Sequence, residues 1–153
     1  MNWLKKIWPF PVDRLIYYYP NEKEFELKPE INGLPLIEKS GEYTLEQAGK
    51  SVHRSRVFKS SHLLKSFHYK DPFVVIGDCV TSPDFRGKGI YPQVIRFLGQ
   101  KYSRNFQVYI LVDPTNAPSI AGIEKAGYVF MGRIQGIRLL FFYIKKRISI
   151  LKN

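Results

Sequence analysis

The sequence predicts an α/β domain in which strands and helices alternate through the second half of the chain. Apolar and β-branched runs predict strands at 73–81, 108–112, 128–134 and 137–145. Apolar positions at helical spacing follow Pro92 and Pro118, and proline favours the first turn of a helix because it lacks an amide hydrogen. Asn116 is a suitable N-cap for the second helix, and Gly127 is a normal residue just after its end. The order from Phe73 is therefore β-α-β-α-β-β.

Length and composition favour one domain over 1–153 with a real core. The chain has 153 residues, of which 44% are hydrophobic and 15% aromatic, so it belongs to the globular class. The single cysteine, Cys79, excludes an internal disulfide. Together with the lack of a signal-peptide pattern, it favours a cytoplasmic setting. No apolar run approaches the roughly 20 residues that a membrane span needs.

The formal net charge of +11 favours an anionic partner. A phosphorylated cofactor, a nucleotide-linked substrate, nucleic acid and an acidic lipid surface all remain open on charge alone. The basic residues are spread along the chain instead of forming a stripe, which makes nucleic acid a weaker expectation.

The first half of the chain gives a less regular pattern. Residues 1–11 combine Trp3 and Trp8 with lysines, which suits an arm that packs on the domain or makes a weak membrane-surface contact. Strands are predicted at 12–19 and 51–58, a further strand at 62–69 and a short one at 25–28. Residues 36–38 and 43–45 are ambiguous, and 44–50 fit a helical turn.

A glycine-rich basic loop follows the strand at Phe73–Thr81. Gly87 and Gly89 permit a positive φ and close approach, while Arg86 and Lys88 supply positive charge. Backbone N–H groups of such a loop, with a helix N-terminus, can converge on a phosphate. The spacing fits neither the P-loop nor the dinucleotide fingerprint, since one residue separates the glycines and Ile90 follows them. A basic turn between two core elements is the alternative for this loop alone.

The loop resembles the pyrophosphate-binding motif of the GNAT superfamily of acyl-CoA N-acyltransferases, Arg/Gln-x-x-Gly-x-Gly/Ala. Arg86, Gly89 and Tyr91 occupy its three fixed positions, and Tyr91 departs from it. Further along, Asn116 and the run from Glu124 to Tyr128 match a second GNAT signature, Asn followed by Lys-x-Gly-Phe/Tyr. Two motifs in register are far more specific than one, and the resemblance covers 73–133.

The resemblance implies a mixed, mostly antiparallel central sheet with a splayed parallel strand pair, flanked by helices. It divides the chain into a variable N-terminal part on the acceptor side (1–72), an acetyl-CoA-binding core (73–134) and a C-terminal strand and tail (135–153). The residues that it implies for acetyl-CoA binding are Val80, Thr81, Arg86, Gly87, Lys88, Gly89, Ile90, Tyr91, Asn116 and Ser119. Among these, the amides near Val80 and Thr81 are expected to pair with the pantetheine arm, one of them facing the thioester oxygen.

A second departure from the family concerns the acid that donates a proton to the departing CoA thiolate. Many members carry a tyrosine seven residues after the asparagine, and that position is Ile123 here. Because isoleucine has no proton to donate, the role is empty or has moved. Tyr91, Tyr109 and Tyr128 are near in sequence, and water is a further alternative.

Two residues are candidates for the base that deprotonates the attacking amine. Asp78 ends an apolar run after Gly77, where the strand is expected to bulge, turn the carboxylate into the cleft and raise its pKa by burial. His53 has a pKa suited to proton transfer near neutrality. Their structural alternatives are an ion-paired carboxylate and a core histidine. Cys79 is expected to be a small core residue and not a nucleophile, and no Cys/His cluster has metal-ligand spacing.

The sequence therefore predicts an N-acetyltransferase that uses acetyl-CoA as cosubstrate and needs no metal. The acceptor is expected to be a small-molecule primary amine, and the positive charge favours an anionic one such as an amino sugar. A non-catalytic acyl-CoA-binding domain of the same fold and a basic nucleic-acid-binding module are the alternatives. The oligomeric state is left open.

Overall fold

The structure, a computed structural model, describes residues 9–20, 28–140 and 142–150. Within these residues eight strands form one sheet in the order β10-β9-β1-β8-β7-β6-β5-β4, and β2 and β3 form a separate two-stranded ribbon. The strands are β1 (Phe10–Tyr18), β2 (Glu30–Ile31), β3 (Leu34–Pro35), β4 (Ile37–Lys39), β5 (Glu42–Gln47), β6 (Lys50–Phe58), β7 (Phe73–Thr81), β8 (Gln107–Val112), β9 (Val129–Leu139) and β10 (Phe142–Ile150). The helices are α1 (His62–Ser66), α2 (Ile90–Tyr102) and α3 (Ala117–Lys125).

The pairing of the strands confirms the predicted mixed, mostly antiparallel sheet. β7 and β8 pair in parallel, and the other strand pairs of the described part are antiparallel. The parallel pair arises because α2 carries the chain across one face of the sheet between the two strands, as a parallel connection requires. β1 then pairs with the far edge of β8 and joins it to β9.

Apolar side chains cover both faces of the sheet, with α2 and α3 on one face and α1 on the other. Val94, Ile95 and Leu98 of α2 are fully buried against one face, because their spacing places them on one side of the helix. Leu64 of α1 and Ile134 of β9 belong to the core of the opposite face. No helix in the described ranges is long and apolar enough to cross a membrane.

The strand predicted at 62–69 is wrong, since these residues begin with helix α1. Ser61 accepts a hydrogen bond from the amide of Leu64 and so caps the helix. Leu63, Leu64 and Phe67 are buried together, and their spacing of one and four residues fits a helix better than a strand. The cap and the spacing outweighed the β-propensity of the apolar residues.

The turn predicted at Gln135 and Gly136 is also wrong, because β9 runs through both residues to Leu139. The glycine serves close packing: a Cβ on Gly136 would lie 2.7 Å from the carbonyl oxygen of Ile144 on β10. Glycine inside a strand often marks such an approach of another backbone. Phe142, five residues after the predicted start of the last strand, is where β10 begins.

Other differences lie in the first half of the chain. Residues 44–50 form the end of β5 and the start of β6 instead of a helical turn, and the ambiguous residue 37 begins β4. The strands predicted at 12–19 and 51–58 are confirmed, each starting one or two residues earlier. The short strand predicted at 25–28 lies outside the described residues except for Lys28. Of the arm predicted at 1–11, residues 1–8 also lie outside them, whereas Phe10 and Pro11 belong to β1.

A glycine inside α2 gives a test of how closely this helix packs on the sheet. A Cβ on Gly99 would lie 2.5 Å from Cδ2 of Tyr19 and 2.9 Å from the hydroxyl of Tyr128. We therefore expect Gly99→Ala to lower the free energy of unfolding by about 1–3 kcal/mol, in spite of the better helix propensity of alanine.

Urea denaturation measures the change in this free energy. Gly77→Ala is the matched control, since the nearest atom to its new Cβ is the ring of Phe58 at 3.4 Å, which is 39% exposed and free to move. An unfolding midpoint for Gly99→Ala equal to or above that of the parent would contradict the close packing.

Candidate functional site

The parallel strands β7 and β8 separate halfway along β7, and the candidate site lies in the gap. Their pairing runs from Phe73 opposite Gln107 to Ile76 opposite Ile110 and goes no further. The rest of β7 stays paired with β6 on its other side, up to Thr81 opposite His53. From Gly77 onward, one edge of β7 therefore has no neighbouring strand among the described residues, as the resemblance implied for a splayed pair.

A groove of about 270 Å³ occupies this gap. Both strands, α3 and the first turn of α2 contribute to its walls. The lining residues are Arg14, Ile76, Gly77, Asp78, Cys79, Tyr91, Ile110, Leu111, Val112, Asp113, Asn116, Ser119 and Ile123. The groove thus brings together the end of β7, Asn116 and the helix that follows the glycine loop, which are far apart in the sequence.

The predicted bulge in β7 is present at Asp78. Its φ is 49°, and the register with β6 shifts between Arg54 and Arg56. The expected burial of Asp78 is wrong, because its side chain is 56% exposed and lies 3.8 Å from Nη1 of Arg56. Arg56 alternates along β6 with the buried Ser55, so the bulge turns the carboxylate toward the face opposite α2.

Thr81 presents its backbone to the gap. The N–H of Ser82 donates to the carbonyl of Val52 on β6 at 3.0 Å. Since neighbouring residues of a strand direct their N–H groups to opposite sides, that of Val80 faces β6 and that of Thr81 faces away from it. On the same side, the carbonyl of Thr81 accepts from Nε of Arg86 at 3.1 Å. Arg86 therefore ties the loop to the free edge of β7.

The glycine loop has the conformation that anion binding requires. Gly87 and Gly89 have φ of 74° and 72°, which favour glycine, and Gly89 is the N-cap of α2. Among the described residues, no backbone carbonyl accepts from the N–H groups of Gly87, Lys88 or Gly89. Gln93, in the first turn of α2, stabilises the loop. Its Nε2 donates to the carbonyl of Gly89 at 3.0 Å and to Oδ1 of Asn32 at 3.1 Å.

Asn116 and Ser119, which the resemblance implies for acetyl-CoA binding, lie on the wall that α3 contributes to the groove. Oδ1 of Asn116 accepts from the amide of Ser119 at 3.3 Å and caps the helix. This hydrogen bond occupies one end of the asparagine amide group and leaves its NH₂ group and the Ser119 hydroxyl available to the groove.

His53 is buried beside the groove and does not line it. Its two ring nitrogens contact the hydroxyls of Thr81 and Ser55, each at 2.7 Å. Ser55 in turn donates to Sγ of Cys79 at 3.2 Å. Burial lowers the pKa of His53 to about 4, so the ring is neutral near pH 7. These hydrogen bonds link β6 to β7 on the side of β7 away from the free edge. His53 therefore has a structural role here.

Tyr91 is one of the residues implied for acetyl-CoA binding and one of the alternatives for the group that acts on the thiolate. It lines the groove together with Cys79 and Ile123. Its ring rests on α3, since a Cβ on Gly122 would lie 2.6 Å from Cδ1 of Tyr91. A glycine within a helical pattern is a weak signal of such close approach. The sequence reasoning missed Arg14 on the groove wall, because it lies in the N-terminal strand, outside the two motifs.

The described residues contain no group of three or more His, Cys, Asp or Glu side chains able to hold a metal ion. Burial raises the pKa of the Cys79 thiol to about 11, so it remains protonated at neutral pH. Cys79 is thus placed on the groove wall without the features of an activated nucleophile.

The buried histidine predicts a dependence of stability on pH. Its pKa is about 4 in the folded protein, against an ordinary value of about 6.5. The unfolded chain therefore takes up the proton first as pH falls, and stability is lost between about pH 6.5 and 4. We expect His53 to contribute on the order of 3 kcal/mol to this loss. Urea titrations at several pH values, on the parent and on His53→Gln, measure the contribution.

In that comparison the parent should lose more stability than the glutamine variant between pH 7 and 4.5. His62→Gln is the matched control, since His62 is exposed at the start of α1. Equal slopes for the parent and His53→Gln would contradict the buried, neutral state of His53.

Comparison with known proteins shows which known structures share this fold. No family model and no curated protein matches the sequence. Among solved structures, a GNAT-family acetyltransferase from Novosphingobium aromaticivorans is similar with a TM-score of 0.58 and 13% identity, over 82% of this chain and 63% of that one. One from Colwellia psychrerythraea has a TM-score of 0.56 and 15% identity, over 88% and 56%. The chain spans about 60% of the length of these proteins, and it has the fold of the GNAT acetyltransferases.

Proposed function

We propose that this protein is an N-acetyltransferase that moves the acetyl group of acetyl-CoA to a primary amine. The observation that carries the proposal is the groove between β7 and β8, which runs from the free edge of β7 to Tyr91 in the first turn of α2. A strand edge without a neighbour offers hydrogen bonds to an extended amide-containing arm such as pantetheine. The glycine loop at the end of the groove suits the pyrophosphate.

The described residues fit acetyl-CoA at both of its polar parts. The N–H groups from Gly87 to Tyr91 and the guanidinium of Arg86 would hold the pyrophosphate, since they are unpaired or charged and stand at a helix N-terminus. Thr81, Asn116 and Ser119 would hold the pantetheine arm. The N–H of Thr81, which faces the gap, is suited to stabilise negative charge on the thioester oxygen. Acetyl-CoA supplies an activated acetyl group.

The acceptor would approach from the face of the sheet opposite α2 and α3. The exposed Arg54 and Arg56 lie on this face, and Asp78 stands between them and the groove. Arg14, which pairs with Asp113 at 3.3 Å, borders the groove on its other side. Arg56 also pairs with Glu42 at 2.7 Å, so Arg54 is the one of these three arginines without an ion pair among the described residues. Its free charge favours an acceptor that carries an anionic group beside its amine, such as a phosphorylated or nucleotide-linked amino sugar.

Asp78 is the proposed base on this side. The exposed carboxylate is open to an ammonium group, directly or through one water, and Arg56 orients it. Loss of a proton makes the amine nucleophilic, so that it can attack the acetyl carbon. His53 is less suited to this task, because both of its nitrogens are already engaged.

The first prediction from this proposal is that acetyl-CoA stabilises the fold and that Arg86 contributes to its binding. At 100 times its dissociation constant, a ligand stabilises the native state by about 2.7 kcal/mol, which thermal unfolding detects. Arg86→Ala should weaken binding by roughly 10- to 100-fold, because it removes a charge-assisted contact of about 1.5–3 kcal/mol. Calorimetry measures the dissociation constants.

Lys50→Ala is the matched control for Arg86→Ala, since it removes one positive charge at the exposed β5–β6 turn, away from the groove. Its dissociation constant should stay within twofold of the parent value. No shift of the melting temperature at millimolar acetyl-CoA would refute the proposed function, and binding without release of free CoA in the presence of amines would favour a non-catalytic acyl-CoA-binding domain.

The second prediction concerns Asp78. Asp78→Asn keeps the size of the side chain and removes its basicity, so kcat should fall by about 100-fold, the usual scale for a general base. Acetyl-CoA affinity should not change, because Asp78 lies on the acceptor side. Release of free thiol, followed with a library of amines, measures the rate.

Cys79→Ala is the comparison variant and should keep most of the activity. An inactive Cys79→Ala together with acetylated Cys79 in the parent, seen by mass spectrometry, would contradict direct transfer to the amine. A harmless Asp78→Asn would move the base elsewhere.

A further inference from the structure

The groove raises the question of which group faces the sulfur when the thioester is cleaved. In the family that the sequence resembles, many members have a tyrosine at that place, seven residues after the asparagine, where this chain has Ile123 on α3. The isoleucine is fully buried and lines the groove, but it has no polar atom. Departure of a thiolate into a groove whose wall offers no hydrogen-bond donor at this place is unfavourable, since a charge removed from bulk water needs partners.

Tyr91, on α2, lines the same groove as Ile123. Its ring lies against Gly122, the residue next to Ile123, and helix geometry puts both one turn beyond Ser119. Because a side chain at position 122 would overlap the ring, the glycine makes the space in which the ring of Tyr91 packs against α3. The contact with His53, at 6.2 Å between ring centroids, limits the ring from the other side.

The hydroxyl of Tyr91 is free to act on a ligand. Among the described residues it has no hydrogen-bond partner. It is also not fully buried, unlike the hydroxyl of Tyr69, which is buried without a partner. Solvent therefore reaches the Tyr91 hydroxyl, and the groove is the cavity that this residue lines. Burial of the ring raises the pKa of Tyr91 above its usual value, so the hydroxyl keeps its proton.

The other donors on the groove walls are occupied or stand elsewhere. The Cys79 thiol donates to the carbonyl of Gly77 at 3.5 Å. Nη1 of Arg14 donates to Asp113 and to the carbonyl of Asp13. Ser119 lies in the first turn of α3, on the side of Asn116. Tyr91 is thus the groove-lining donor that packs against the turn of α3 where Ile123 lies.

We propose that Tyr91 donates a hydrogen bond to the sulfur of the departing CoA thiolate and so replaces the missing donor at position 123. This inference rests on the proposed acetyl transfer. When the bond between the acetyl carbon and sulfur breaks, its electron pair goes to sulfur, and the Tyr91 hydroxyl stabilises the developing charge. Tyrosine keeps its proton, and the thiolate later takes one from water. The ammonium gives one proton to Asp78 before the attack, and Asp78 passes it to solvent. The nitrogen gives its second proton to water as the amide forms, and this loss matches the proton that the thiolate takes up, so charge and atoms balance.

The experiment compares three purified full-length variants with the parent: Tyr91→Phe, Tyr69→Phe and the double variant Tyr91→Phe/Ile123→Tyr. Tyr69→Phe is the matched control, because it removes a hydroxyl with no partner on the opposite face of the sheet. Release of CoA thiol gives kcat and KM with an amine that the parent accepts, and calorimetry gives the dissociation constant of CoA. Melting temperatures verify that each variant folds.

We expect Tyr91→Phe to lower kcat by about 10- to 100-fold, the range for one hydrogen bond to a charged group. Its CoA dissociation constant should stay within twofold of the parent value, and Tyr69→Phe should match the parent. The double variant should regain activity, since its tyrosine returns the donor from α3.

Two results would overturn the inference while leaving the acetyl transfer intact: a kcat of Tyr91→Phe within twofold of an active parent, or a loss of activity explained by weaker CoA binding alone. A parent that releases no CoA thiol with any amine would instead refute the proposed function itself.

Discussion

The end of the pairing between β7 and β8 is the constraint on which the site depends. Up to Ile76 the two strands share hydrogen bonds, and beyond it β7 keeps its partner on one side only. An unpaired strand edge inside a protein is unfavourable unless its backbone groups find other partners. Here the bulge at Asp78 turns the strand, Arg86 satisfies the carbonyl of Thr81, and the remaining groups face a groove. The opening is thus part of the fold and not an irregularity of one loop.

The core of the fold could be predicted from the sequence because its signals are local. The span of β7 matches the prediction, and Asn116 caps α3 as expected, since a buried apolar run and an N-cap residue each determine structure within a few residues. The turn at Gln135 and Gly136 could not be recognised as false, because glycine marks both turns and close backbone contacts, and the contact with β10 depends on residues far along the chain.

The candidate site shows the same division between local and distant effects. The φ values of Gly87 and Gly89 follow from their sequence pattern, whereas the exposure of Asp78 depends on which way a bulge turns one side chain. Likewise, His53 could be named as a proton-transfer candidate from its chemistry, but Thr81 and Ser55, which engage both ring nitrogens, are brought to it by the pairing of β6 with β7. Sequence reasoning therefore identified the residue types near the groove better than their orientations.

The contact between Tyr91 and Gly122 joins two positions that are 31 residues apart in the sequence. One position has no room for a Cβ as long as the other carries an aromatic ring, so the sizes of the two side chains are linked. A homologue with alanine or glycine at the equivalent of Tyr91 has space for a larger residue at the equivalent of Gly122, whereas a homologue that keeps the ring needs the glycine. The two positions should therefore vary together, and their joint state would distinguish chains in which a ring fills this side of the groove from chains in which it does not.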